Sequence, residues 1–197
     1  NGYKGTELSI PIPLAAELQK SYGNDFKYLV MASWMGGHIL SYEDKKFSKT
    51  GNYMDVDAPR LLDLKMLKGT LDGLKEPGSI LLSESVAKAF FQDKDPMNEL
   101  MRLDNKLDVK VTGVYEDLPF NAQFRELSFI VPWELYVSSE AWVKTARDEG
   151  HWGNNSFQLF AQLADNADFE NVNAKIINAK QDKVPEDEKK FKAEIFL

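Results

Sequence analysis

The sequence predicts an α+β fold in which both chain ends build one subdomain and the middle of the chain builds another. Three observations predict it. The first 34 residues read as strand, helix, strand; the last 42 repeat that scheme; and the stretch between them has a different texture of short strands, short helices and a hairpin. Two βαβ-like units thus bracket the chain. Neither can bury both faces of a sheet alone, so the two are expected to share one sheet with two helices packed on it. The expected subdomains are 1–55 plus 156–197, and an inserted mixed α/β part at 56–155.

Taken in order, Thr6–Ile10 reads as a strand closed by "PIP". Leu14, Leu18 and Tyr22 recur at i, i+4, i+8, one face of a helix, with Gly23 placed to end it. Tyr28, Val30, Ala32 and Trp34 then alternate as a strand. Residues 36–56 predict short strands turning at "SKTGNY", and "APRLLDLKML" a short helix running into a strand. Gly78 precedes the strand "SILLS", and "SESVAKAFF" follows as a helix, with Ser83 as its cap and Val86, Ala87 and Phe90 facing the core. Leu100–Leu103 and Leu107–Tyr115 predict a hairpin across "DNK", with Val109, Val111 and Tyr115 on one face and Asp108, Lys110 and Thr112 on the other. Pro132 fits the first turn of a helix supported by Glu134. Phe157, Leu159, Ala161 and Leu163 alternate; Asp165 or Asn166 is the expected cap of a helix carrying Phe169, Val172 and Ile176; and Phe191, Ala193, Ile195 and Leu197 alternate again.

Composition limits the function. The chain has 197 residues and a net charge of −7, from 31 acidic and 24 basic side chains that are interspersed. Phosphate backbones need a basic patch and none is visible, so nucleic acid is not an expected partner. With no cysteine, the chain holds neither disulfide nor thiolate site. The longest uncharged run, Tyr28–Leu40, is 13 residues, and a membrane-crossing helix needs roughly 20. The first residue is Asn1 and no basic-then-apolar leader follows, so the chain is expected to be a piece of a longer protein.

Several patterns invite a chemical reading. Ser85 and Lys88 form S-x-x-K, the nucleophile motif of penicillin-recognising enzymes, and "KTG" at Lys49–Gly51 and "YGN" at Tyr22–Asn24 could belong to such a site. The order along the chain is wrong, however, since in those enzymes S-x-x-K comes first and K-T-G last. A capped structural helix explains the same residues. The two histidines, His38 and His151, lie far apart without a ligand pattern around them. Asp93 and Asp95 begin a calcium-like loop that then places Met97 at a ligand position and Asp104 where a glutamate should close it. No metal site is expected. Trp133, Trp142 and Trp152 could form an aromatic platform with Asn154 and Asn155, and Glu140 and Glu149 a carboxylate pair, although tryptophan in a core is the commoner outcome.

The longest coherent pattern is "SILLSESVAKAFFQDKDPMNELMRLDNKLDVKVTGVYEDLPFNAQF", Ser79 to Phe124. It resembles the periplasmic core domain of MacB-like (FtsX-type) ABC transporter permeases: an apolar strand, a helix, "DP", a hairpin, then "VTGVYEDLP" followed by Asn and Phe. Upstream "APRLLDLKMLKGTL" and downstream "FIVPWELY" and "WGNNSFQLFAQL" also resemble the family, so the likeness runs from about Asp57 to the terminus. Gln92 and Asn98 stand where the family usually has glycine. The resemblance implies a periplasmic domain of an inner-membrane protein, placed between membrane helices and relaying ATP-driven motion to a periplasmic substrate or partner (mechanotransmission). It implies no enzymatic activity, no cofactor and no ATP binding by the domain itself. Implied partners are a cytoplasmic ATPase subunit reached through the membrane helices, a second permease subunit in a dimer, and a periplasmic adaptor or substrate protein. Trp133, Trp142 and Trp152 are the expected contact residues. The rival expectation is a stand-alone periplasmic module binding glycan or peptide.

Overall fold

Proline lacks a backbone donor, which suits it to a helix's first turn, and Pro13 opens the first helix of the chain. The computed structural model describes residues 5–184, 186, 189–191 and 193–197. Its elements begin β1 (Ile10–Pro11), α1 (Pro13–Tyr22), β2 (Phe26–Ala32), β3 (Gly36–Tyr42), β4 (Lys45–Met54), α2 (Ala58–Leu61) and β5 (Met66–Gly69). They continue with β6 (Ser79–Ser83), α3 (Glu84–Phe91), β7 (Leu100–Leu103), β8 (Leu107–Tyr115), β9 (Phe129–Pro132) and α4 (Trp133–Ser139). The last are α5 (Ala141–Asp148), β10 (Asn155–Leu163) and α6 (Phe169–Ile176). The chain forms two compact units, Asn1–Met31 with Ala141–Leu197, and Ala32–Glu140. These limits differ from the subdomain limits expected at 55/56 and 155/156, because β3 and β4 pair with strands of the second unit.

In the first unit β10 lies between β1 and β2, with Ile10 opposite Phe157 on antiparallel β1 and β10. Leu14 and Leu18 of α1 and Val172 and Ile176 of α6 bring their i, i+4 stripes together with Phe26 and Ala179 in one core. The N-cap of α6 is Asp168, not Asp165 or Asn166: its carboxylate accepts the Asn171 N–H at 2.9 Å. The strand expected over the last residues is not formed in the described stretch 193–197. Its backbone turns to the end of α6 instead, with Ile195 N–H donating to the Ile177 carbonyl at 3.0 Å and Leu197 N–H to Asn173 Oδ1 at 2.8 Å. The Phe191 side chain lies outside the described residues.

The second unit closes on itself. Pairing runs β4-β3-β7-β8-β6-β9, and β9 pairs back to β4, which makes a six-stranded ring. The neighbours β8 and β6 run parallel, as do β9 and β4; the other pairs of the ring are antiparallel. The hairpin β7–β8 has the expected limits, joined by Asp104–Lys106, with Asp104 and Asn105 at φ 51° and 55° and the Lys106 N–H closing the turn on the Leu103 carbonyl at 3.0 Å. The β3–β4 turn falls at Glu43–Asp44 rather than within "SKTGNY", which lies inside β4. Pro132 ends β9 as the residue before α4, one place earlier than expected.

Helix α3 stops at Gln92, whose N–H bonds to the Lys88 carbonyl while Lys45 Nζ reaches the Phe90 carbonyl. Gln92 sits at φ 54°, ψ −115°, backbone that glycine adopts without strain and a Cβ resists. Gln92→Gly is therefore expected to stabilise the domain by about 1 kcal/mol, the strain relieved exceeding the added freedom of the unfolded chain. A urea titration checks this, and an equal or lower midpoint for Q92G would contradict it.

Candidate functional site

The residues of the S-x-x-K stretch are engaged with near neighbours. Lys88 Nζ lies 2.7 Å from Glu84 Oε1, one turn back on the helix. Ser85 Oγ is 3.1 Å from the hydroxyl of Ser83, a buried residue. Ser83 makes no side-chain cap. The orphan donor at the start of α3 is served from outside the helix, by Asp117 Oδ1, which accepts the Ser85 N–H at 3.1 Å. "SESVAKAFF" and "VYEDLP" are thus one structural device, a helix and its remote cap. In "KTG", Lys49 lies over the Phe47 ring and Gly51 lies under the ring of Phe129. "YGN" belongs to the first unit, at the end of α1.

The carboxylates are occupied locally. Asp95 Oδ1 takes Lys68 Nζ at 2.7 Å and the Met97 N–H at 3.3 Å, and these contacts hold its carboxyl below the usual range. Asp104 accepts the Ile39 N–H at 2.8 Å and faces His38 Nδ1 at 2.7 Å, pinning the β7–β8 turn to β3. Glu149 faces His151 at 2.7 Å, and Glu140 lies 3.9 Å from Lys106. Among the described residues no group of three or more acidic, histidine or cysteine side chains converges to hold a metal. Tyr53 stacks on Tyr136 at 4.7 Å; burial first, then the Asp104 and Glu140 carboxylates, push its phenol well above the ordinary value. It stays neutral at any physiological pH.

The three expected contact residues occupy three different environments. Trp133 is buried in the second unit, tilted against Tyr136 at 5.6 Å. Trp152 packs against the core of the first unit. Trp142 alone presents much of its ring, 46% exposed, while its other face stacks on buried Phe157 at 5.4 Å and 10° between planes. Residue type could not separate these roles. Phe120, at 83% the most exposed of the large apolar side chains among the described residues, is not singled out by the sequence pattern. The signal available was an aromatic directly after proline in the connection between two strands.

This is the fold of the extracytoplasmic domains of transporter permeases. A domain of a candidate permease protein from Porphyromonas gingivalis matches with TM-score 0.74 and 15% identity, over 96% of this chain and 77% of that one. The periplasmic region of MacB from Actinobacillus actinomycetemcomitans matches with TM-score 0.65 and 16% identity, over 89% and 75%. The extracellular domain of the noncanonic ABC-type transporter YknZ from Gram-positive bacteria matches with TM-score 0.59 and 16% identity, over 88% and 82%. The chain belongs to the MacB-like periplasmic core domain family, whose model matches residues 3–179. Among the curated proteins none matches this sequence. No helix among the described residues is long and apolar enough to cross a membrane.

Proposed function

We propose that this chain is the extracytoplasmic domain of an ABC transporter permease subunit, and that it relays ATP-driven motion of the membrane helices to a periplasmic substrate or partner. The family match over residues 3–179 carries this reading. Two units that each hold a core of their own support it, because a relay needs bodies that move without deforming. The domain itself would do no chemistry. A cytoplasmic ATPase, reached through membrane helices, and a second permease subunit complete the machine, in the inner membrane with this domain on its periplasmic side. A periplasmic adaptor or substrate protein would meet the domain at Trp142, with Trp152 and Trp133 holding their own neighbourhoods in shape. Reading the native gene past both ends of the chain tests the proposal. Apolar spans of about 20 residues on both sides are expected. A cleavable leader before Asn1 and a stop codon after Leu197 would instead make this a free protein, and the relay would have to be abandoned.

A further inference from the structure

The connection between β8 and β9 holds an aromatic ring in water by construction. Its two ends are fixed at four points. Glu116 N–H donates to the Lys65 carbonyl at 2.8 Å, and Asp117 caps α3. Tyr115 Oη donates to the Leu127 carbonyl at 2.8 Å, and Ser128 N–H to the Thr50 carbonyl at 2.9 Å. Between those anchors the loop is braced internally: Ala122 N–H donates to Pro119, Arg125 N–H to Ala122 and Leu127 N–H to Phe124, at 2.9, 3.2 and 2.9 Å. Phe120 stands on this braced loop with 83% of its surface exposed, and the Arg125 guanidinium lies over its ring, 4.8 Å from the centroid.

An exposed ring on a mobile loop would carry little meaning, since single apolar residues at surfaces are ordinary. A loop whose backbone is anchored and braced by seven hydrogen bonds has much of its ordering entropy already spent, so an aromatic standing on it is a more effective anchor for a partner. Arginine and aromatic residues are also the types most enriched where partners bind. The guanidinium decides the partner's chemistry. A pocket that takes up the Phe120 ring also meets the guanidinium lying over that ring, and a guanidinium that loses its water there must be paired. Among the described residues its ion-pair partner is Glu126, with Nε 3.9 Å from Oε1, too long for a hydrogen bond. The receiving surface must therefore bring its own carboxylate.

We infer that Phe120 and Arg125 form a docking point for a second protein, one that offers an apolar pocket bordered by an aspartate or glutamate. The ring fills the pocket and the guanidinium pairs with the carboxylate at its edge. This docking point belongs to the second unit, whereas Trp142 belongs to the first, and it does not depend on the permease reading: a free periplasmic protein could use it equally.

The test is photocrosslinking in the native cells, with p-benzoylphenylalanine at position 120 of the full-length gene product. The expected result is one discrete adduct with a different protein, mapped to an apolar pocket flanked by an acidic residue. R125E is expected to lower its yield at least tenfold, and replacing that acidic residue by lysine should restore it. Position 47, where Phe47 is also exposed, serves as the control and is expected to give no such adduct. Adducts only with lipid or with a second copy of this chain would overturn the inference, as would an adduct equally strong at position 47 or indifferent to R125E. Both side chains are exposed, so the variants are expected to fold as the parent does, which their thermal melting curves verify.

Discussion

Gly51→Ala is expected to destabilise the second unit by about 3 kcal/mol, at the upper end of the range for a single added methyl group. A Cβ at position 51 would stand 2.1–2.3 Å from Cζ, Cε1 and Cε2 of Phe129, where real contacts are never under 3.0 Å. The ring has no free space to retreat into. Phe129 is fully buried and meets the His38 imidazole edge-on at 5.7 Å. Gly51 and Phe129 are also register partners on the two strands whose pairing completes the ring, so a shift of either disturbs the closure. Phe129→Ala alone should cost about 3–5 kcal/mol through the cavity it leaves. Because the two changes relieve each other, the double variant should be more stable than the sum predicts by at least about 1 kcal/mol. Urea titrations of the three variants measure this. Strict additivity would show that the close approach of ring and glycine is not what makes position 51 intolerant.

The first unit has its own critical ring. Phe157→Ala is expected to cost about 3–5 kcal/mol, the usual penalty for emptying a buried phenylalanine site. Phe157 has no exposed surface, pairs with Ile10 across β1 and β10, and carries the Trp142 indole stacked on it. Removing the ring takes away the support of that indole, so the fluorescence of Trp142 should shift to the red in the folded variant. The comparison is made against matched Trp142→Phe proteins, which isolates that emission from the other three tryptophans. An unshifted Trp142 spectrum would mean the stack does not define its position.

What the sequence reveals about this fold depends on how local the cause is. The β7–β8 hairpin is legible because period-2 alternation and a short three-residue connection of turn-forming residues sit side by side in the chain. Helix α3 is legible for the same reason. By contrast β4 hides behind Gly51, which reads as a turn residue but is required by a ring on another strand. The cap of α3 hides because its donor and its carboxylate are 32 residues apart. The pairing of β4 with β9 joins residues still further apart and leaves no periodic trace, so the closed ring could not be foreseen. For the candidate site, residue type marked the tryptophans but could not tell which of them is covered. Phe120 needed the loop's hydrogen bonds before its exposure meant anything.

The division of the chain has a consequence for synthesis. Ala32–Glu140 is continuous, so the closed unit contains everything it needs once its last strand has emerged. The other unit must wait. The core around Leu14, Leu18 and Phe26 stays incomplete until Val172 and Ile176 arrive. During vectorial delivery, residues 5–31 therefore lack their packing partners until α6 has emerged, by which time the closed unit is complete. That segment is where a holding chaperone would act, and where a stalled or truncated chain would first begin to aggregate.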